Sequence, residues 1–296
     1  MKTLTMRDGN PDRIRVLIYH RIYPGAHSAA ATAWDVSETS FRKQIELIDR
    51  WGYGIITFND YRLYLQGEIS LPKKPVIITF DDGYKEVYDV AYPILKEHGM
   101  RGVVFILGDR LITTNSWDEG IVARHELLND GQILELHAAG FEIGAHSHSH
   151  RKLTNLPKGV AWEEIYRSRI SLEILLNARV LSFSYPYGIT DPAIKQMTAD
   201  AGYSLAVGAY SGPPLFVEDQ WEIRRIKTFD SGSPVTLWLQ LQSIYLHYRW
   251  MWWKIKSTIH LRSASATHFL QYAPWELKAK HAKAAKAAAN DTPTQS

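Results

Sequence analysis

The segment Val76-Ile77-Ile78-Thr79-Phe80 narrows the fold of this chain more than any other. Apolar residues fall on both of its alternating faces, with Thr79 the one exception. A strand formed there must therefore be covered on both sides, as strands of parallel sheets are. Comparable runs recur at 15–19, 103–107, 141–145, 181–185 and 205–207. Helical patterns lie between them. One follows Ser40, read as an N-cap, through Phe41, Ile45, Ile48 and Trp51, with Gly52 closing the turn. Others cover 87–97, ended by Gly99, then 127–139, stopped by Gly140, then 162–176 and 192–201. This strand-then-helix rhythm predicts a parallel α/β sheet, open or closed into a barrel.

Two chemically dense segments sit at the ends of expected strands. Asp81-Asp82-Gly83 follows the 76–80 run, and His146-Ser147-His148-Ser149-His150 follows the 141–145 run. Loops at the C-terminal ends of parallel strands converge on one face, where such folds build their sites. The chain has no cysteine, so any transition-metal site must use imidazole and carboxylate. One Asp and two His form a set that leaves a zinc ion open to water and substrate. Neighbours on an extended chain point to opposite sides, so one Asp can face the metal and the other the attacking water. His146 and His150, four apart, can share one face of a helical turn or be gathered by a tight loop, with His148 directed elsewhere.

The motifs resemble those of the polysaccharide deacetylases, the NodB-homology or carbohydrate esterase family 4 group. Thr79-Phe80-Asp81-Asp82-Gly83 is similar to the first family motif and His146 to His150 to the second. Ser184-Tyr185-Pro186-Tyr187-Gly188 is similar to the third, in the same order along the chain. The resemblance, over roughly 15–230, implies a distorted (β/α) barrel that removes N-acetyl groups from amino sugars. It implies that Asp82, His146 and His150 hold a divalent metal, most often Zn2+, and that Asp81 is the general base. The backbone N–H of Tyr187 then helps hold the oxyanion, a form of stabilisation worth about 3–4 kcal/mol per donor. Tyr19-His20-Arg21 resembles the opening of members associated with exopolysaccharide. Many members begin the third motif with an Arg that pairs with the catalytic Asp. Here that position is Ser184, and Arg225 is expected to supply the charge from another strand. The family's late Leu-x-His motif has no match, since Leu246-His247 lies too far along; His20 is the candidate proton donor instead.

These features divide the chain into a deacetylase-like domain at 1–232, a Trp-rich helical extension at 233–262 and an Ala/Lys-rich tail at 263–296, expected to be flexible. In the extension Ser233-Pro234 starts a single helix carrying a stripe from Leu237 to Ile259. Its Trp250, Trp252 and Trp253, interspersed with Lys and Arg, suit a helix lying at a membrane surface or packing on protein. No apolar run reaches the roughly 18 residues of a spanning helix. The first fifteen residues are polar, which predicts no cleaved signal peptide. The expected location is the cytoplasm, with peripheral contact at the inner face of the membrane. A net charge of +3 is too small to imply nucleic-acid binding. The expected partner is an N-acetylated glycan. The rival readings are a deacylase of a small non-sugar amide and a catalytically idle glycan-binding protein.

Overall fold

The computed structural model describes residues 9–26, 31–120, 123–230 and 233–261, and the tail expected to be flexible lies outside them. Eight parallel strands form one curled sheet. They are β1 (Arg15–Tyr19), β4 (Gly54–Ile55), β5 (Pro75–Phe80), β6 (Val103–Ile106), β7 (Glu142–Ala145), β8 (Ser182–Ser184), β9 (Leu205–Val207) and β10 (Ile226–Lys227). The order is β10-β1-β5-β6-β7-β8-β9, with β4 beside the first half of β5. A second, two-stranded sheet pairs β2 (Ile22–Tyr23) with β3 (Val36–Ser37). The chain between Ile223 and Lys227 joins the two ends of the large sheet. Ile223 and Arg225 hydrogen-bond to β9 and the residues just after it, and Ile226 and Lys227 pair with β1. The parallel, doubly covered sheet and the distorted barrel are thus as expected.

Alternation along the strands sorts the core into two bodies. Val76, Ile78 and Phe80 face outward with Val104, Ile106 and Ala206 against the surrounding helices. Ile77 faces inward with Val103, Phe105, Leu205, Val207 and Ile223. The period of two along β5 therefore carries Thr79 and Asp81 to the inner side as well. This is how one strand delivers a carboxylate to the barrel interior at its C-terminal end.

The helices are α1 (Glu38–Arg50), α2 (Phe58–Gln66), α3 (Tyr92–Glu97), α4 (Asp130–Ala138), α5 (Lys158–Leu176), α6 (Pro192–Asp200), α7 (Pro234–Gln240) and α8 (Ser243–Leu261). Several ends differ from the sequence expectation. The cap of α1 is Ser37, whose hydroxyl accepts from the Ser40 N–H, so Ser40 is already inside the helix. Leu127 is extended, bridged to Tyr84, and α4 starts only where Asn129 and Gln132 form a reciprocal capping box. The 87–97 helix opens with a wide π turn at Val87–Ala91 before α3. The C-terminal extension is two helices, not one. The Leu241 carbonyl accepts from the Arg15 guanidinium at 3.2 Å, and α7 ends there.

This extension is tied to the barrel at its start. Leu237, Leu241 and Leu246 are buried in the outer core, and the Gln240 side chain donates to the Lys227 carbonyl at 2.7 Å. Further along α8, Ile244, Tyr248, Met251, Trp252 and Ile255 are exposed, while Trp250 is half-buried with Lys254 over its ring. The Trp253 side chain lies outside the described residues. An exposed apolar face suits a protein partner as well as a bilayer, so it does not carry the expected membrane contact. Among the described residues no helix is long and apolar enough to cross a membrane.

Candidate active site

Asp81 and Asp82 leave the end of β5 in different directions, but not as neighbours on an extended strand. Asp82 has φ 71° and Gly83 φ 70°, so two successive left-handed residues turn the chain sharply at the rim. An L residue adopts this region at a cost of roughly 1–2 kcal/mol. Of the five non-glycine residues with positive φ among the described residues, four are Asp82, Ser147, His150 and Tyr187, all in the candidate motifs. Backbone strain gathered in this way marks functional sites. At Gly83 an added Cβ would lie 2.7 Å from the Ile106 Cγ2. Gly83→Ala is expected to lower stability by roughly 2–4 kcal/mol, from the left-handed backbone and the overpacking together. Denaturant unfolding measures it, and an unchanged midpoint would contradict this account of the turn.

His146 continues β7, its N–H bonded to the Ile106 carbonyl. The loop after it is a tight turn with left-handed Ser147 and His150, so the loop alternative holds and the helical turn does not. The Ser147 hydroxyl accepts from the His150 N–H at 3.0 Å. Buried Glu164 on α5 receives both the N–H and the hydroxyl of Ser149. The turn thus brings the two imidazole rings to 4.9 Å between centroids. His148 is outside this group, and its ring packs against Gly108.

The Nε2 atoms of His146 and His150 lie 3.2 and 3.1 Å from Asp82 Oδ1. All three residues are buried, and their donor atoms lie within 4.8 Å of one another. Yet Asp82 Oδ1 makes no hydrogen bond of acceptable geometry, so the two rings are near the oxygen without donating to it. His146 Nδ1 is 2.8 Å from the Ser184 carbonyl. That acceptor places the ring proton on Nδ1 and leaves the Nε2 lone pair facing Asp82. Two imidazole nitrogens and a carboxylate oxygen converging on one buried point fit a divalent cation. The charge balance agrees. Burial would raise the Asp82 carboxyl, but the His146 and His150 imidazoles beside it outweigh burial and hold it well below the usual range. Burial likewise opposes protonation of His146, and Asp81 followed by Asp82 outweighs it and raises that imidazole. The cluster calls for positive charge, which a bound cation supplies.

Asp81 has a different environment. Arg225 donates to Oδ1 at 2.6 Å and to Oδ2 at 2.7 Å. It also donates to Gly208 O, Thr79 Oγ1 and Ser184 Oγ, so five bonds use its five N–H donors. The expected charge therefore does come from Arg225, fully buried on the segment joining β9 to β1. Ser184, at the position where an Arg was missing, donates to Asp81 Oδ2 at 3.2 Å while accepting from Arg225. Burial acts to raise the Asp81 carboxyl, but Arg225 prevails and lowers it.

Tyr187, left-handed at φ 62°, sets its ring 4.8 Å from that of His150 between centroids, the two planes at 67°. His20 follows β1; its Nδ1 is buried without a hydrogen-bond partner, and burial lowers its pKa despite the pull of Asp82 and Asp81. His247 is exposed on α8, its Nδ1 3.0 Å from the Ser243 carbonyl. The sequence did not single out the aromatic rim. Trp117 stacks on His150 at 4.3 Å, and Trp34 lies 4.6 Å from His20 and 5.8 Å from Tyr210. Trp34 and Tyr210 lie in loops and Trp117 in a short 3-10 turn, none of them in a motif. Only the excess of aromatic residues pointed to them.

A distorted parallel barrel with a carboxylate and two imidazoles converging at its C-terminal rim, beside an Arg-paired carboxylate, defines a class of hydrolase-like α/β proteins with a candidate metal centre. Within it, residues 68–206 match the polysaccharide deacetylase family model. YxkH of Bacillus subtilis is 25% identical over 217 residues, covering 73% of this chain and 72% of that protein. A poly-beta-1,6-N-acetyl-D-glucosamine N-deacetylase of Staphylococcus aureus is 24% identical over 229 residues, covering 71% and 77%. Among solved structures, the Streptococcus pyogenes deacetylase PplD in complex with acetate superposes with a TM-score of 0.66 at 24% identity, covering 77% of this chain and 98% of that one. That likeness speaks to the fold.

Proposed function

We propose that this protein is a metal-dependent N-deacetylase of an N-acetylated polysaccharide or glycoconjugate. The observation that carries the reading is the buried Asp82–His146–His150 group beside the Asp81–Arg225 pair, within and next to the span matching the polysaccharide deacetylase model. The Staphylococcus relative supports an N-acetylglucosamine polymer as the substrate class. Partly exposed Trp34, Trp117, Tyr187 and Tyr210 around the site suit sugar rings, whose apolar faces pack on aromatic planes. This rim also favours a glycan over a small non-sugar amide, and a binding protein without catalysis has no use for an Arg-paired carboxylate beside the cluster.

Asp82, His146 and His150 would hold the cation, and Zn2+ fits their donor set. A divalent ion there supplies Lewis-acid polarisation of the amide carbonyl and makes a water more acidic. Asp81, kept ionised by Arg225, would accept a proton from the attacking water through a lone pair left free by its bonds. Ser184 and Arg225 fix the orientation of its carboxylate. The Tyr187 N–H is assigned to the oxyanion. The departing sugar amine needs a proton, and His20 is assigned as its donor. Burial holds His20 neutral at rest, so the proton it gives to the amine would be the one that Asp81 has taken from the attacking water, passed on through His20.

The test is acetate release from an N-acetylglucosamine oligomer by wild type and Asp81→Asn, each with and without a chelator. The variant is expected to lose activity on the order of a thousandfold while keeping its metal, as removal of a base acting at the reacting atoms does. Full activity in Asp81→Asn would remove Asp81 as base. Full activity after complete metal removal would remove the metal-dependent reading.

A further inference from the structure

Lys227 is a partly buried ammonium whose charge no described side chain neutralises. Among the described residues no carboxylate pairs with it. Its Nζ rests 4.0 Å from the Trp34 ring centroid and 5.8 Å from that of Phe229. Two residues apart on an extended chain, Arg225 and Lys227 share a face. Arg225 reaches Asp81 inside the barrel, and Lys227 stands one pleat nearer the rim, in register with Ile18 of β1. Trp34 in turn packs on His20, which lies within electrostatic reach of Asp81 and Asp82. Lys227 is therefore one aromatic ring removed from the candidate centre. Burial pushes its amine down to about 8, so it remains mainly cationic at neutral pH.

The reaction proposed above changes the charge of its own substrate. An N-acetyl amino sugar is neutral, and its product carries an ammonium at neutral pH. On a polymer, both kinds of unit can lie beside the one being cut. We propose that Lys227, seated on Trp34, forms a neighbouring sugar subsite that admits N-acetylated units and rejects units already deacetylated. Successive cuts along one chain are then spaced apart. The inference rests on the deacetylase reading and adds a selection by charge to it. Like charges separated by a sugar's width, one of them half-buried, repel enough for a preference on the order of tenfold.

The test compares two pentamers of N-acetylglucosamine, one fully acetylated and one acetylated on its central unit alone. The ratio of their kcat/KM values is measured for wild type, Lys227→Gln and Lys227→Arg. Wild type is expected to prefer the fully acetylated pentamer, Lys227→Arg to keep the preference, and Lys227→Gln to lose roughly tenfold of it. The statistical factor from additional sites cancels between proteins. A Lys that only packs on Trp34 leaves the ratio unchanged in Lys227→Gln, which overturns the subsite. Calorimetric titration of the same pentamers reads the preference without turnover. Selective binding without acetate release overturns the deacetylase reading and keeps the subsite. Acetate release without selection overturns the subsite alone.

Discussion

Asp82→Ala is expected to abolish both metal retention and acetate release, the latter by on the order of a thousandfold, equivalent to about 4 kcal/mol of transition-state stabilisation. Asp82 Oδ1 is the one anionic atom of the three converging donors, and its removal leaves two neutral imidazoles 4.9 Å apart. Two neutral ligands hold a divalent ion weakly in a buried site. The stability readout separates this from simple damage. Metal-loaded wild type should unfold at a higher temperature than the metal-free protein, by the linkage that yields about 4 kcal/mol at a thousandfold excess over Kd. In Asp82→Ala that increment should vanish. The metal-free variant should itself be somewhat less stable than metal-free wild type, because the site favours the Asp82 carboxylate and Ala tolerates the left-handed backbone less well than Asp does. A variant that still binds one metal and stays active would mean that the ligand set is wrong.

The architecture was readable because burial on both faces leaves a plain mark. The strand at Pro75–Phe80 lacks polar residues apart from Thr79, and the residues after β5 and β7 are too rich in donors to be ordinary turns. The helix starts were less readable, since capping depends on where the backbone turns. Ser37 and Ser40 are equally good caps by type, and only the entry from β3 selects Ser37. The geometry at Asp82 was hidden for a related reason. A left-handed Asp is rare, so an extended chain was the default, although Gly83 signalled the turn. The break between α7 and α8 depends on Arg15, far away in sequence, taking the Leu241 carbonyl. Pairwise contacts over such a separation leave no periodicity. Arg225 was foreseen from a missing charge, but the part played by Ser184 was not. A hydroxyl that both donates and accepts can join an ion pair once the Arg side chain comes from another strand. Trp34, Trp117 and Lys227 lie where only folding brings them to the rim.

Arg225→Met is expected to destabilise the protein by about 3–5 kcal/mol, the usual result of breaking a buried ion pair from one side. Arg225 is fully buried, and its loss frees the Asp81 carboxylate, the Gly208 carbonyl and the hydroxyls of Thr79 and Ser184 from their donors. The pH dependence follows from the sign of the Asp81 shift. In wild type the folded pKa is lowered from the ordinary carboxyl value of 3.8, so the pair contributes stability above that pH and loses it as pH falls through the folded pKa. Without Arg225, burial is the largest influence and raises the carboxyl, so the variant gains stability relative to wild type as acid protonates Asp81. The gap between the two proteins should therefore narrow on acidification. Acetate release at neutral pH should fall along with stability, because without its two bonds from Arg225 the Asp81 carboxylate is no longer held in one orientation. Arg225→Lys keeps the charge but not the two-pronged geometry, and should fall between wild type and Arg225→Met. The double variant Asp81→Asn with Arg225→Met removes both charges and should recover part of the stability, with a coupling of roughly 1–3 kcal/mol, while remaining inactive. Additive losses in that cycle would show that Arg225 acts by filling space between β9 and β1, and not by holding Asp81 ionised.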